Sequence, residues 1–328
     1  MAVRLEGEIV LPPTASRPMP SPRGDLLVYY LPATGNVAVL ADREGRECCR
    51  LPGESHWGPV SWSPDGTRLC YYTASNAPDE EPEKRRVVIY SVADGSTREL
   101  ALTGIELGRV EPLPQFVDRG AGVRVYTARG VYRAKVDGGP WVREETAPGV
   151  GLAEGPFAVS PSGLMARRAQ GGAEVVAQAG PVKDVRVPGE VTAMAFDSLQ
   201  LYLALACREG DGYALYLQSL HEPVGPALVD RGEGEVLDLN WSPEGRFLAY
   251  RVAAPGRLVA RFLDRVKNAV GTFAPDGGLC GLGWIDPFTV IALVSGAQNT
   301  RGCLLGIGDP PRVEKITVEE WHNRPART

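Results

Sequence analysis

The stretch Ser61–Tyr72, SWSPDGTRLCYY, is one copy of a motif that returns along the chain. Residues 239–252, LNWSPEGRFLAYRV, repeat it almost completely. Two further segments keep a Ser-Pro-x-Gly joint, and three keep only the aromatic residue and the apolar run after it. In chain order, these five segments are residues 18–31, 114–128, 157–169, 194–206 and 282–294. Seven such segments in one chain predict a repeat protein.

The spacing of the seven segments is that of propeller blades. Aligned on the residue after the aromatic, they fall at positions 21, 63, 117, 160, 197, 242 and 285. The mean interval is about 44 residues, within the range of a four-stranded blade. Each unit has an apolar strand, a turn, a second strand that is apolar almost throughout, a third strand and a more polar fourth strand. We therefore predict an all-β protein, a seven-bladed β-propeller of four-stranded antiparallel blades.

This pattern assigns residues 1–320 to a single propeller and leaves 321–328 as a disordered tail. Its units begin near residues 15, 57, 111, 154, 191, 236 and 279. Two alternatives close the ring. Residues 3–10, VRLEGEIV, can form the outermost strand of the last blade, or residues 312–318, RVEKITV, can fill that place. We favour the first.

The Ser-Pro-Asp-Gly joint has the chemistry of a tight turn. Pro64 presets φ for a type I turn, Asp65 suits the next position, and Gly66 supplies a positive φ at the exit. Residues 62–66 and 241–245 resemble the Trp-Ser-Pro-Asp-Gly repeat of the TolB-like propeller family. The resemblance covers nearly the whole chain and implies a fold, not a reaction. Members of that family are commonly exported.

The composition indicates which kinds of partner and which cellular compartment to expect. The formal net charge of −5 provides no positive field for nucleic acid or anionic lipid. Six cysteines without CxxC spacing predict free thiols, including the adjacent Cys48 and Cys49. The N-terminal residues lack the apolar run of a signal peptide, and no segment has the length of a membrane span. We expect a cytoplasmic monomer, or an exported protein if a leader has been removed.

Carboxylates recur where the chain enters the inner strands. They are Glu111, Glu154, Glu190 and Glu235, with Asp238 closer in. Loops joining one blade to the next share a face with the loops between second and third strands, so we expect these side chains around the channel there. Like charges in this arrangement would attract a basic partner or a cation, with Ca²⁺ or Mg²⁺ as candidates. We predict no cofactor firmly.

His56 and Trp57 stand in the matching loop of the second unit, where the indole could stack on a ligand or bind a protein partner. Residues 75–86, SNAPDEEPEKRR, form a charged insertion typical of a solvated loop. The chain has no Walker A loop, GxSxG elbow or HExxH motif, and only three histidines. Asn240-Trp241-Ser242 matches a glycosylation acceptor, but it lies inside a predicted inner strand.

These observations favour a non-enzymatic scaffold that presents loops to a protein or peptide partner. A cytoplasmic hydrolase or lactonase with a divalent metal at the channel mouth is the first alternative. Its candidate catalytic residues are Glu111, Glu154, Glu190 and Glu235, with His56 as an auxiliary acid or base. The second alternative is a sensor that binds a glycan or small ligand on Trp57.

Overall fold

The fold is a ring of antiparallel sheets, as predicted. A computed structural model describes residues 1–53, 55–56, 58–74, 85–107, 112–144, 155–177 and 180–308. Within them, the strands form seven sheets, and helical structure is confined to short 3₁₀ turns at Pro32–Thr34 and Asp118–Gly120. The prediction of a seven-bladed β-propeller is therefore confirmed.

The first three blades follow one another along the chain. Blade 1 contains β2 (Ser16–Pro20), β3 (Leu26–Leu31), β4 (Val37–Asp42) and β5 (Glu47–Arg50). Blade 2 contains β6 (Ser55–His56), β7 (Ser61–Trp62), β8 (Arg68–Ala74), β9 (Arg86–Ser91) and β10 (Thr97–Ala101). Blade 3 contains β11 (Leu113–Val117), β12 (Gly122–Thr127), β13 (Gly130–Lys135) and β14 (Val142–Arg143). In blade 2 the inner strand is divided, because β6 and β7 pair separately with β8.

The remaining blades repeat the four-strand order. Blade 4 contains β15 (Phe157–Val159), β16 (Met165–Ala169), β17 (Gly172–Ala177) and β18 (Gly180–Arg186). Blade 5 contains β19 (Glu190–Phe196), β20 (Tyr202–Glu209), β21 (Gly212–Ser219) and β22 (Ala227–Glu233). Blade 6 contains β23 (Glu235–Trp241), β24 (Phe247–Ala254), β25 (Arg257–Asp264) and β26 (Ala269–Phe273). Blade 7 contains β27 (Gly278–Trp284), β28 (Thr289–Ser295), β29 (Thr300–Ile307) and, at its outer edge, β1 (Val3–Leu11).

The N-terminal strand closes the ring. β1 runs antiparallel to β29, and its register places Val3 opposite Ile307 and Leu11 opposite Thr300. A bulge between Leu5 and Gly7 interrupts this pairing. The two ends of the described chain therefore share one sheet, which confirms the first of the two predicted closures. Residues 312–318, the alternative, lie outside the described residues.

The core is divided into clusters, each between two neighbouring blades. Between blades 6 and 7, for example, Phe247 stacks on Trp284 with ring centroids 6.1 Å apart, and Phe262 is fully buried nearby. Blades packed on both sides bury both faces of their middle strands. This packing explains why the second strand of each unit is apolar almost throughout.

Each Ser-Pro-x-Gly hairpin is held by its serine. In blade 2, Ser63 Oγ accepts the backbone N–H of Arg68 at 2.9 Å and donates to Asp65 Oδ1 at 2.6 Å. Hydrogen bonds from Ser63 and Thr67 lower the pKa of Asp65 to about 2. The serine is buried and the aspartate is exposed, so the motif is a structural joint, as its sequence predicts.

The turn glycine also contacts the preceding blade. Gly66 has φ of +68°, and a Cβ there would lie 3.3 Å from Cγ of Arg23 in the blade 1 turn. Glycine is thus needed for both the backbone conformation and the close approach of neighbouring turns. The repeated joint shapes each hairpin and packs it against the next one.

Candidate functional site

The ring has two faces with different loops. We call the face with the hairpins between first and second strands the turn face. Its hairpins are residues 21–24, 63–66, 118–121, 160–163, 197–200, 242–245 and 285–288. We call the opposite face the crossover face, because it carries the connections from each blade to the next, such as residues 187–189 between blades 4 and 5. The sequence places the candidate carboxylates on the crossover face.

Three of the predicted site residues cannot be placed. Trp57, Glu111 and Glu154 lie outside the described residues, as does most of the insertion at 75–86. Their proposed roles in binding or catalysis stay predictions.

Glu190 and Glu235 lie on the crossover face, and both are paired with arginine. Glu190 Oε1 accepts a hydrogen bond from Arg168 Nη1 at 2.6 Å. Glu235 Oε1 accepts one from Arg208 Nη2 at 2.7 Å, and Arg208 Nη1 is also 3.9 Å from Glu190 Oε2. Charges therefore alternate across blades 4 to 6. Both glutamates are thus charge-compensated, and their predicted roles in binding or catalysis stay predictions.

The negative charge of Asp238 is also paired with an arginine, Arg251. Asp238 Oδ2 accepts a hydrogen bond from Arg251 Nε at 2.7 Å and forms an ion pair with Arg251 Nη2 at 2.6 Å. Arg251 Nη1 donates to the carbonyl of Leu279 in blade 7 at 3.1 Å. The described residues contain no group of three or more His, Cys, Asp or Glu side chains that could hold a metal.

His56 is buried, although its loop belongs to the crossover face. Its Nδ1 accepts the backbone N–H of Ala38 at 3.3 Å, and its Nε2 is 3.2 Å from the carbonyl of Pro52. The ring packs on Tyr71 with centroids 5.1 Å apart, and burial lowers the pKa of the imidazole. A neutral histidine with both ring nitrogens engaged joins blade 1 to blade 2. His56 therefore has a structural role between the blades, and its predicted role as an auxiliary acid or base, or as a partner contact, stays a prediction.

A cavity of about 580 Å³ lies on the ring axis at the turn face. Six blades contribute the ends of their inner strands to its wall. The lining segments are residues 18–20, 60–62, 158–161 (without 160), 194–198, 239–243 and 283–284. Its lining residues include Trp62, Phe196, Trp241 and Trp284, together with prolines and Met194. A concavity lined by both apolar and polar residues is the usual form of a binding site.

The tryptophans of this wall also join neighbouring blades. Trp62 Nε1 donates to the carbonyl of Met19 in blade 1 at 3.1 Å. Trp241 Nε1 donates to Ala195 of blade 5 at 3.1 Å, and Trp284 Nε1 to Asn240 of blade 6 at 2.9 Å. Each indole is fixed at its polar edge, so the cavity wall is preorganised.

The blade 5 hairpin departs from the repeat and forms part of the wall. Asp197 stands where blades 1, 2, 4 and 6 have serine, and its Oδ1 accepts the N–H of Tyr202 at 2.7 Å. Ser198 Oγ donates to the carbonyl of Pro243 in blade 6 at 2.5 Å. Gln200 accepts a hydrogen bond from Ser160 in blade 4 at 3.3 Å. The hairpin is thus anchored to both neighbouring blades.

Sequence reasoning missed this site because it treated the repeat as architecture alone. The signal was present in the aromatic residue that ends each inner strand and in the change from Ser-Pro-x-Gly to Asp-Ser-Leu-Gln at 197–200. Only the ring geometry shows that these segments meet on one axis.

Comparisons with known proteins support the fold. No protein-family model matches the chain, and no curated protein matches it. Among solved structures, the chain is similar to the β-propeller domain of Cps50 (Swd1) from Myceliophteria thermophila, a WD40-type propeller. The TM-score is 0.65 at 12% identity, over 94% of this chain and 100% of that domain. At this identity the similarity shows the fold alone. Within the described residues, no helix is long and apolar enough to cross a membrane.

Proposed function

We propose that the protein is a non-enzymatic binding scaffold that holds a segment of a protein partner in the axial cavity of its turn face. The observation that carries this proposal is the cavity at the axis, where inner strands from six blades converge and four of the lining residues are aromatic. Aromatic side chains in a desolvated pocket provide most of the binding energy in many protein interfaces. A propeller fold with a WD40-type structural neighbour is consistent with this role.

The size and rigidity of the cavity favour a peptide-like segment. A volume of about 580 Å³ accommodates a few side chains. The indoles of Trp62, Trp241 and Trp284 are already hydrogen-bonded to the neighbouring blades. Because these walls do not need to be ordered on binding, less conformational entropy is lost.

The crossover face is the weaker candidate. Glu190 and Arg168 line a depression of about 530 Å³ there, but they are paired with each other at 2.6 Å. A partner that binds this surface has to compete with existing ion pairs, which reduces its net gain. Binding in the axial cavity does not compete with ion pairs in this way, because the indoles of its tryptophans are hydrogen-bonded to backbone carbonyls.

We also infer that the chain is a divergent relative of the TolB-like propellers. The support is the Trp-Ser-Pro-Asp-Gly joint at residues 62–66 and its variant at 241–245. The same hydrogen bond, from a backbone N–H to the serine Oγ, forms in both turns, at 2.9 Å to Ser63 and 3.0 Å to Ser242.

A random heptapeptide library displayed on phage tests the scaffold proposal. Peptides selected on the full chain should lose binding to Ser198→Trp, because Ser198 is exposed at the rim of the cavity and an indole there obstructs it. They should keep binding to Ser96→Trp, the same change at an exposed outer turn. If no peptide is selected, or if both variants bind equally, the axial cavity is not the binding site.

A further inference from the structure

We propose that Asp197 gives the axial cavity its selectivity, so that the segment it binds carries a cationic group, an arginine or lysine side chain or a free amine. This inference rests on the proposed function and names the chemistry of the ligand. Among the described residues that line the cavity, Asp197 is the one with a charged side chain. Its neighbours are apolar, aromatic or neutral.

The hairpin of blade 5 does not need an aspartate. In blades 2 and 6, Ser63 and Ser242 accept the corresponding backbone N–H through Oγ, at 2.9 and 3.0 Å. Asp197 does the same with Oδ1, at 2.7 Å from the Tyr202 nitrogen. Serine therefore suffices to form the turn, and the second carboxylate oxygen of Asp197 is additional to it.

That second oxygen is buried without a partner. Asp197 is 0% exposed, and its Oδ2 has no hydrogen-bond partner among the described residues. Two other carboxylates with little exposure have arginine partners. Asp264 is 2.8 Å from Arg246 Nη2, and Asp230 is 2.9 Å from Arg261 Nη1. A buried carboxylate is costly unless it is paired with a cation, so the unpartnered Oδ2 of Asp197 points to a cationic ligand.

The surroundings of Asp197 suit a long cationic side chain. Oδ2 faces the blade 6 turn, where a Cβ on Gly245 would lie only 2.8 Å away. To pair with a cation in the cavity, the carboxylate has to turn from this buried position toward the cavity that Asp197 lines. Phe196 and Trp241 line the same cavity, and aromatic residues are frequent neighbours of bound cations. The methylene stem of arginine or lysine matches the apolar lining.

The unpaired carboxylate has a second consequence, for stability. Asp197→Ser restores the residue that blades 1, 2, 4 and 6 use at this position and removes the lone charge. We expect its melting temperature to rise by about 1–3 °C, since the turn keeps its hydrogen bond. Asp197→Asn keeps the side-chain shape and removes only the charge. A binding residue that weakens the fold is typical of a functional site.

The test uses the peptides selected on the wild-type chain. They should be enriched in arginine or lysine, and their affinity for Asp197→Ser and Asp197→Asn should fall by about tenfold to a hundredfold. Replacing the cationic residue with citrulline or norleucine in a synthetic peptide should reproduce that loss. Asp65→Asn, which removes a carboxylate from the same face outside the cavity, is the matched control and should bind normally.

The outcomes separate the two proposals. Peptides that are lost with Ser198→Trp but show no cationic preference, or bind Asp197→Asn as tightly as the wild type, overturn the role of Asp197 and leave the scaffold intact. Peptides indifferent to Ser198→Trp, or a selection without binders, overturn both. Cationic peptides that need both the open cavity and Asp197 support both.

Discussion

Ring closure by the N-terminal strand can be tested with a disulfide. Glu8 of β1 lies opposite the native Cys303 of β29, and Cys303 Sγ is 3.8 Å from Glu8 Oε1. Glu8→Cys therefore places two thiols side by side on adjacent strands, within the range that a disulfide spans. We expect this pair to oxidise readily.

The stabilisation expected from this disulfide follows from the length of the chain segment that it closes into a loop. Residues 8 and 303 are separated by nearly the whole described chain, so the loop-entropy limit is on the order of 5 kcal/mol. Engineered disulfides give less, and we expect about 2–4 kcal/mol, or a rise in melting temperature of about 3–6 °C. Losing the half-exposed Glu8–Arg301 pair, 3.5 Å apart, subtracts less than about 1 kcal/mol.

The assay compares thiol titration and melting with and without reductant. Val10→Cys is the control, because Val10 is exposed on the same strand and stands opposite Arg301, where there is no cysteine. Oxidised Glu8→Cys should lose two titratable thiols and melt higher, and reductant should reverse both effects. If the thiol introduced by Glu8→Cys stays as reactive as that of the control, β1 does not pair with β29.

Two further predictions concern the blade contacts. Trp241→Phe removes the indole donor to the Ala195 carbonyl, and urea unfolding should show that the free energy of unfolding falls by about 1–3 kcal/mol. Trp141→Phe is the control and should lower it less, because its indole hydrogen bond, at 2.9 Å, lies at an exposed site. Burial raises the pKa of Tyr29 and of Tyr216 to about 12, so both groups favour folding while they stay protonated. The contribution of these two tyrosines to the free energy of unfolding should thus be constant below pH ~10, the pKa of a tyrosine in the unfolded chain. It should fall between pH ~10 and 12. Denaturation at fixed pH values measures this slope, and a profile unchanged by Tyr29→Phe would contradict it.

The sequence predicts the blades well because their determinants are local. The turn at 63–66 is specified by four adjacent residues, and the apolar run after it reports burial on both sides. The closure by residues 3–10 was also predictable, since a ring of four-stranded blades needs a strand there. The division of the blade 2 inner strand into β6 and β7 was not predicted, although Gly58 and Pro59 stand at the break.

The site was less predictable because its contacts join different blades. Glu235 receives its cation from Arg208, 27 residues earlier, and the spacing of glutamates does not reveal that pairing. Trp284 donates to a carbonyl 44 residues away. Asp197 is visible in the sequence as a departure from serine, but its burial and unpaired oxygen depend on the packing of blades 5 and 6.

Hydrogen–deuterium exchange with a selected peptide locates the surface of the ring that the peptide covers. If a partner segment occupies the axial cavity, backbone amides at residues 61–66, 196–202 and 241–247 should become protected. Those at 168–171 and 189–191, on the crossover face, should exchange as in the free protein. Protection confined to the crossover face would contradict the account.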